Sequence, residues 1–254
     1  MPNIKKFIFI NTSFTVSGYL YYLTYSYNNI YLLYLFTLIK NSSLLYVNYY
    51  CSKSIPHIKN TNDLKIKKID IYNCFLVSLI ELFSIFLCKK RIYSSILKES
   101  LYFIPISFAF EIVFDLFHYI THRLVHTKYI YKYIHKKHHE YHNDTTILAS
   151  FHQDPVDLLL TNLVPLYLTS KIIPFSYPQY FTFLIYKSFI EISGHLGKVI
   201  NATSFCQFVW LPKFFKIELD NLDHYNHHIK NNCNYSKRFS LWDKVFGTFN
   251  KYQK

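Results

Sequence analysis

Of the 13 histidines in the chain, only His57 lies outside residues 118–228. The most crowded stretch, HKKHHEYH at residues 135–142, holds four. In FHYITHRLVH, His118, His122 and His126 follow one another at i, i+4 steps, which puts all three on one helical face. His135, His138 and His139 in HKKHH share an H-x-x-H-H spacing with His224, His227 and His228 in DHYNHH. On a helix, i, i+3 and i+4 project to one side, so each box can turn two or three ring nitrogens toward a common point. A lone histidine is most often a surface or hydrogen-bonded side chain. Repeated boxes beside apolar segments have the geometry of ligands. One closed zinc site takes about four donors, so this many imidazoles imply two ions. Imidazole suits Fe, Zn, Cu and Ni, which leaves the metal open. A redox-active pair at a membrane surface would suit activation of dioxygen against an unactivated C–H bond, work that side chains alone do not perform.

The elements that must position these rings are written in the apolar pattern. Hydrophobic residues make up 51% of the 254 and aromatics 20%, with only 4 Gly, which excludes a disordered chain or a Gly-rich repeat. The formal charge of +13 accompanies a richness in Ile, Lys, Asn, Tyr and Phe that fits AT-rich coding, so it carries little functional weight. The aromatics lie inside apolar runs and not on a basic face, which argues against nucleic acid as partner and for membrane head groups. The five cysteines are scattered, with no Cys-x-x-Cys pair, and suggest neither a zinc ribbon nor a disulfide framework. MPNIKKFIFINTSF places basic residues before an apolar run without a small-residue cleavage site and reads as a retained membrane segment.

Apolar runs of near-spanning length occupy residues 7–27, 30–50, 71–88 and 101–120. Two shorter ones, 158–173 and 177–192, flank a turn at Pro174 and Pro178 and form a hairpin that dips into the membrane. The polar blocks, 122–157 and 196–254, then fall on one side. Arg123, Lys128, Lys132, Lys136 and Lys137 make that side cytosolic by the positive-inside rule, although basic residues on both sides of the third run conflict with it. Several such runs in one chain exclude a soluble fold. The expected architecture is all-α: an integral membrane, multi-pass helical bundle with a cytosolic histidine-rich cap holding a dimetal site. Residues 1–100 supply N-terminal membrane helices and residues 101–254 the catalytic domain.

The stretch FHYITHRLVHTKYIYKYIHKKHHEYH resembles the first two boxes of the fatty acid hydroxylase and sterol desaturase superfamily. DHYNHHIKNNCNYSKRFSLWDKVFGTF resembles its last box, with the Asn-Tyr and the closing Trp-Asp-x-x-Phe-Gly-Thr. The resemblance covers about residues 111–249. It implies a membrane non-haem di-iron oxidoreductase that uses O2 and reducing equivalents to hydroxylate or desaturate a lipid or sterol in lipid biosynthesis. It also implies two Fe ions, a cytochrome b5 or NAD(P)H-linked reductase as electron donor, and the endoplasmic reticulum if the source is eukaryotic.

The ligands so implied are His118, His122, His135, His138, His139, His224, His227 and His228. His195 in EISGHLG makes nine. Glu191, one turn before His195, is open to metal ligation, to a hydrogen bond behind a ligand, or to pairing with a lysine. Asp115 would orient a ligating ring or pair with Arg123. His126 and His142 stand between ligation and a supporting or channel role, and His152 is structural. ASFHQDPVD departs from the Ala-Ser-x-x-x-His-Pro-x-Asp of related sterol enzymes, with Asp154 where the histidine would stand and His152 two positions earlier. The rival readings are a non-catalytic lipid-binding protein of the same fold and a histidine-rich metal transporter. The transporter would place its ionisable residues within the spans.

Overall fold

The structure, a computed structural model, describes residues 4–58, 68–141, 150–199 and 204–252. Its frame is five long helices: α1 (Ile4–Ser26), α2 (Ile30–Ser52), α3 (Lys68–Leu87), α4 (Ile96–Val125) and, after α5–α7, α8 (Tyr177–Gly194). α1 turns into α2 through Asn28, in the left-handed region at φ 53°, and Asn29, whose side chain accepts the N–H groups of Tyr31 and Leu32. Ser95 caps α4 in the same way. Then come α5 (Lys128–Ile130), a π turn (Tyr131–His135) and a 3-10 turn (His138–Tyr141). α6 (Pro155–Leu158), a second π turn (Leu159–Leu163) and α7 (Val164–Ile172) lead back to α8. The cap closes with α9 (Leu211–Phe214), α10 (Asn221–Lys230) and α11 (Leu241–Val245). Among the described residues the only strands are β1 (Lys90–Arg91) and β2 (Phe175–Ser176), a parallel pair that ties the α3–α4 link to the α7–α8 turn. Arg91 and Ser176 both donate to Glu99 there. The turn expected around Pro174 and Pro178 is formed, but its two arms part, α7 packing on α4 and α8 on α1 and α2.

The bundle is polar within and apolar without. The buried positions of α2 are Leu33, Thr37, Lys40, Asn41, Leu44, Asn48 and Ser52, one face at helical spacing and mostly polar. Its outer face exposes Leu35, Ile39, Tyr46 and Tyr50, each more than half accessible. α3 likewise buries Asn73, Ser78, Glu81 and Ser84 and exposes Ile71, Tyr72, Phe83 and Phe86. Water would penalise such a surface, whereas hydrocarbon requires it. Lys40 and Glu81 meet at 2.7 Å in the interior, with Ser188 accepting from Lys40 at 2.9 Å, so the inner charges are paired as lipid demands. Three helices, α2, α3 and α4, are long and apolar enough to cross a membrane. α1, α7 and α8 cover the other apolar runs without meeting both conditions. At 1.5 Å per residue, the 30-residue α4 is roughly 45 Å long against a hydrocarbon core of about 30 Å, so one of its ends projects beyond the lipid.

α1 packs along α8, α2 against α3 and α8, and α4 against α7. The two helices α1 and α8 come close at Gly18, where an added Cβ would lie 2.5 Å from the Cα of Thr182. Gly18→Ala is expected to force α1 and α8 apart and to destabilise the bundle by about 1–3 kcal/mol. Thermal unfolding of the purified chain in detergent would register this as a lower midpoint. An unchanged midpoint would show that the two helices do not meet here.

Candidate metal centre

Nine buried or half-buried histidines gather into two groups where α4, the 131–141 segment, the end of α8 and α10 converge. His122, His126, His135, His139 and His227 form the first, and His138, His195, His224 and His228 the second. Within each group one donor atom per residue lies within 4.8 Å of all the others. A simple rule of register organises them. In each H-x-x-H-H box the i, i+4 pair stays together, His135 with His139 and His224 with His228, while the middle residue crosses to the other group. The boxes therefore interleave, with the ring centroids of His138 and His228 4.8 Å apart and those of His139 and His227 4.9 Å apart.

The nitrogens that face inward fit a cation. His122 Nε2 and His139 Nε2 each lie 3.1 Å from His135 Nε2, and His224 Nε2 lies 3.0 Å from His195 Nε2 and 3.2 Å from His228 Nε2. Donors about 2.1 Å from a shared ion are separated by about 3.0 Å at a right angle and about 3.4 Å at the tetrahedral angle, so these spacings suit common coordination. The Nε2 atoms of His126 and His227 are buried and make no hydrogen bond.

Behind the rings, the Nδ1 sides are held by oxygens. His122 Nδ1 donates to Tyr235 O at 2.7 Å, His227 Nδ1 to Cys233 O at 2.7 Å, and His195 Nδ1 to Glu191 O at 2.8 Å. His135 Nδ1 reaches both carboxylate oxygens of Asp157, at 2.8 and 2.9 Å. Each bond fixes a tautomer that leaves Nε2 free to donate its lone pair inward.

The loop that supplies two of these carbonyls explains the last sequence motif. Asp243 accepts the N–H groups of Tyr235 and Ser236 at 2.8 and 2.9 Å and the hydroxyl of Thr248 at 2.7 Å. Asn234, at φ 54°, donates to Asp223 O and Asn250 O. Trp242 Nε1 donates to Ile112 O, pinning α11 to α4. Asp243→Ala is expected to free the 233–236 loop and to lower metal content by roughly 10- to 100-fold in affinity, as loss of a supporting partner does. Titration of the purified chain with metal would measure it, and wild-type affinity would remove Asp243 from the support.

Burial and mutual repulsion keep the imidazoles neutral. His195 and His227 are pulled down to about 4, chiefly by desolvation. Burial and neighbouring rings hold His126, His135, His138, His139, His224 and His228 well below the ordinary imidazole value. Neutral imidazole is the form that binds a metal. The folded chain thus holds fewer protons than the unfolded one between about pH 4 and pH 6.5, so its stability is present above about 6.5 and lost as pH falls through that window. The melting midpoint of the metal-free chain is expected to drop steeply from about pH 6.5 downward, by up to about 1.4 kcal/mol per pH unit for each proton taken up. A midpoint flat from neutrality to about pH 5 would show that the rings are not buried neutral.

The structure places the other residues singled out by sequence as follows. His118 stands outside both groups, with Nδ1 donating to Thr161 O at 2.7 Å and its ring 4.9 Å from that of His122. His126 stands inside the first. The Glu191 carboxylate faces Lys187 at 2.8 Å and Lys237 at 3.1 Å and belongs to neither group, while the residue's backbone carbonyl is the acceptor behind His195. Asp115 fulfils neither expected role. It accepts the backbone N–H groups of Lys237, Arg238 and Phe239 at 2.7–2.9 Å, while Arg123 donates to the Tyr119 hydroxyl. His152 lies 2.9 Å from Glu140 and 3.5 Å from Asp70 and is structural. Asp154 caps α6 by accepting the Val156 N–H. His142 lies outside the described residues. Asp157 was not singled out. Its signal is the final aspartate of Ala-Ser-x-x-x-His-Pro-x-Asp, which the chain keeps along with Ala149, Ser150 and Pro155.

The model of the fatty acid hydroxylase family matches residues 107–248, more than half of the chain and all nine grouped histidines. The chain belongs to this family. It is a membrane protein built as a helical bundle whose histidine clusters can bind metal. A fatty acid hydroxylase from Lecanicillium sp is 29% identical to it over 107 residues, which cover 41% of this chain and 29% of that protein. The chain therefore meets less than a third of that relative's length. No solved structure matches the chain significantly.

A narrow cavity leads from the second histidine group into the bundle. Leu158, Leu166, Leu184 and Ile192 line it beside His195, with Glu81 and Ser84 farther in.

Proposed function

We propose that this family member is a di-iron, O2-dependent oxidoreductase that hydroxylates, or alternatively desaturates, a lipid or sterol. The observation that carries the reading is the pair of buried, neutral-imidazole groups, the second of which meets at His195 a cavity lined in part by Leu158, Leu166, Leu184 and Ile192. His122, His126, His135, His139 and His227 would hold one ion, and His138, His195, His224 and His228 the other. Two irons would supply the activation of dioxygen against an unreactive C–H bond. The chain's own contribution is to place the substrate carbon and exclude water. The cavity walls hold the chain in register, and burial of the site keeps bulk solvent from the reacting atoms.

Residues 101–254 carry this chemistry in the proposal, and residues 1–100 complete the membrane bundle. Lys128, Lys132, Lys136 and Lys137 follow α4 and support a cytosolic cap by the positive-inside rule, where a cytochrome b5 or NAD(P)H-linked reductase can deliver electrons. The endoplasmic reticulum is the corresponding membrane in a eukaryotic cell. A non-catalytic lipid-binding protein would have no use for two groups of inward-facing nitrogens. A metal transporter would line a path across the bundle with them, whereas here they collect at one end.

The test is lipidomics on cells expressing wild type beside His138→Ala, scoring sterols, sphingolipids and fatty acids for a gain of oxygen or loss of two hydrogens. A product present with wild type alone supports the oxygenase and identifies its substrate. No such product from a well-expressed chain that purifies without metal would overturn it.

A further inference from the structure

A second cavity opens on the other side of His195. It is lined by Lys237, Arg238, Ser204 and Asn221 together with His195 and His224, and it meets the apolar cavity at Glu191, His195 and Lys237. Arg238 is fully buried, yet none of its guanidinium nitrogens makes a hydrogen bond. Its carboxylate neighbours stand off, with Glu111 3.5 Å from Nε and Glu191 3.6 Å from Nη2. Glu111 Oε2, itself without a hydrogen bond, faces the guanidinium only from 3.5 Å. Glu111 accepts from Gln207 at 2.6 Å, and a single oxygen of Glu191 faces Lys187, Lys237 and Arg238 together. Asp115 is taken by backbone N–H groups, and Asp220, the other acid at the cavity, pairs with Lys251 at 2.7 Å. A buried guanidinium held only at ion-pair distance from two carboxylates keeps its N–H groups without hydrogen bonds, so the cavity can take a ligand that brings closer acceptors.

We propose that Lys237 and Arg238 form a recognition site for an acidic head group, a carboxylate or a phosphate, on an amphiphilic substrate whose tail passes His195 into the apolar cavity. This deepens the oxygenase reading and rests on it. The planar fork of an arginine matches the two oxygens of either anion, and the lysine adds a point charge beside it. A neutral hydroxyl offers too few acceptors to satisfy both. The head then lies at the polar end and the tail among Leu158, Leu166 and Leu184, so the carbons that pass the four-histidine group are those near the head.

The test measures binding rather than turnover, with the full chain in neutral detergent and palmitate, hexadecyl phosphate and hexadecanol competing against a fluorescent fatty-acid analogue. Wild type is expected to bind at least one of the two acids about tenfold or more tighter than the alcohol, a difference of about 1.4 kcal/mol. Which acid is preferred tells a carboxylate from a phosphate source. Lys237→Gln is expected to abolish most of that preference while leaving hexadecanol binding unchanged, and Lys237→Arg to restore it. Glu111→Gln combined with Arg238→Gln removes a cation and a carboxylate together and is expected to have the same effect without stranding a buried charge. Metal content and melting midpoint identify any variant that fails to fold, and the properly folded one decides. Equal binding of acid and alcohol by wild type, or a preference that survives both changes, overturns the proposal. A chain that selects acids but holds no metal and makes no product would keep this site and overturn the oxygenase.

Discussion

Replacing His126 with alanine is expected to strip the first group of its ion and to lower turnover by more than about a hundredfold, beyond the range seen when only a supporting partner is lost. His118→Ala is expected to retain both ions. The two residues lie on one face of one helix, two turns apart, and only the structure separates them. His126 Nε2 is buried without a hydrogen bond among four other imidazoles, with ring centroids 4.6 Å from His135 and 4.8 Å from His227. His118 makes the same kind of Nδ1 bond, to Thr161 O, but stands outside both groups of nitrogens, and its removal leaves that carbonyl short of a donor, a stability cost of about 1–3 kcal/mol. Metal analysis of the two purified variants, with the melting midpoint as a control for folding, distinguishes them. If His118→Ala lost an ion while His126→Ala kept both, the grouping would be wrong.

That distinction marks where the sequence stopped being legible. The i, i+4 rule places His118, His122 and His126 on one stripe, but a stripe two turns long extends past a site one ion wide. Which pair faces the partner boxes depends on how α4 meets α10, a contact between residues about 100 positions apart. The H-x-x-H-H spacing was legible as ligand geometry. The crossing of its middle member to the other group needed the facing box to be in place. Asp115 shows the limit for charges. Its position before His118 suggested a ring or Arg123, and the backbone of residues 237–239 took both oxygens. The apolar runs gave the helical bundle correctly because length and composition decide that outcome in lipid. The polar stripe of α2, with Lys40 facing Glu81 across the interior, was hidden in those runs, since a few inward polar residues barely alter the mean of a spanning window.

The same logic of partners fixes the second large effect, at Asp157. Both oxygens of its carboxylate lie within 2.9 Å of His135 Nδ1, and His135 Nε2 is in turn 3.1 Å from the Nε2 atoms of His122 and His139. His135 is therefore the hub of the first group, and Asp157 is the group that sets its tautomer. Burial pushes the Asp157 carboxyl up to about 8, so near neutrality the pair holds a proton that an incoming cation must displace. Asp157→Ala leaves Nδ1 without an acceptor and lets the ring turn or take the other tautomer, with its proton on Nε2 facing the ion. Metal affinity is expected to fall by about 10- to 100-fold, with turnover following. Asp157→Asn keeps an acceptor oxygen but removes the charge, and is expected to recover much of the affinity while releasing fewer protons on metal binding. Calorimetric titration in two buffers of different ionisation heat counts those protons. Wild-type affinity in Asp157→Ala, or the same proton release in Asp157→Asn as in wild type, would show that the carboxylate does not govern His135.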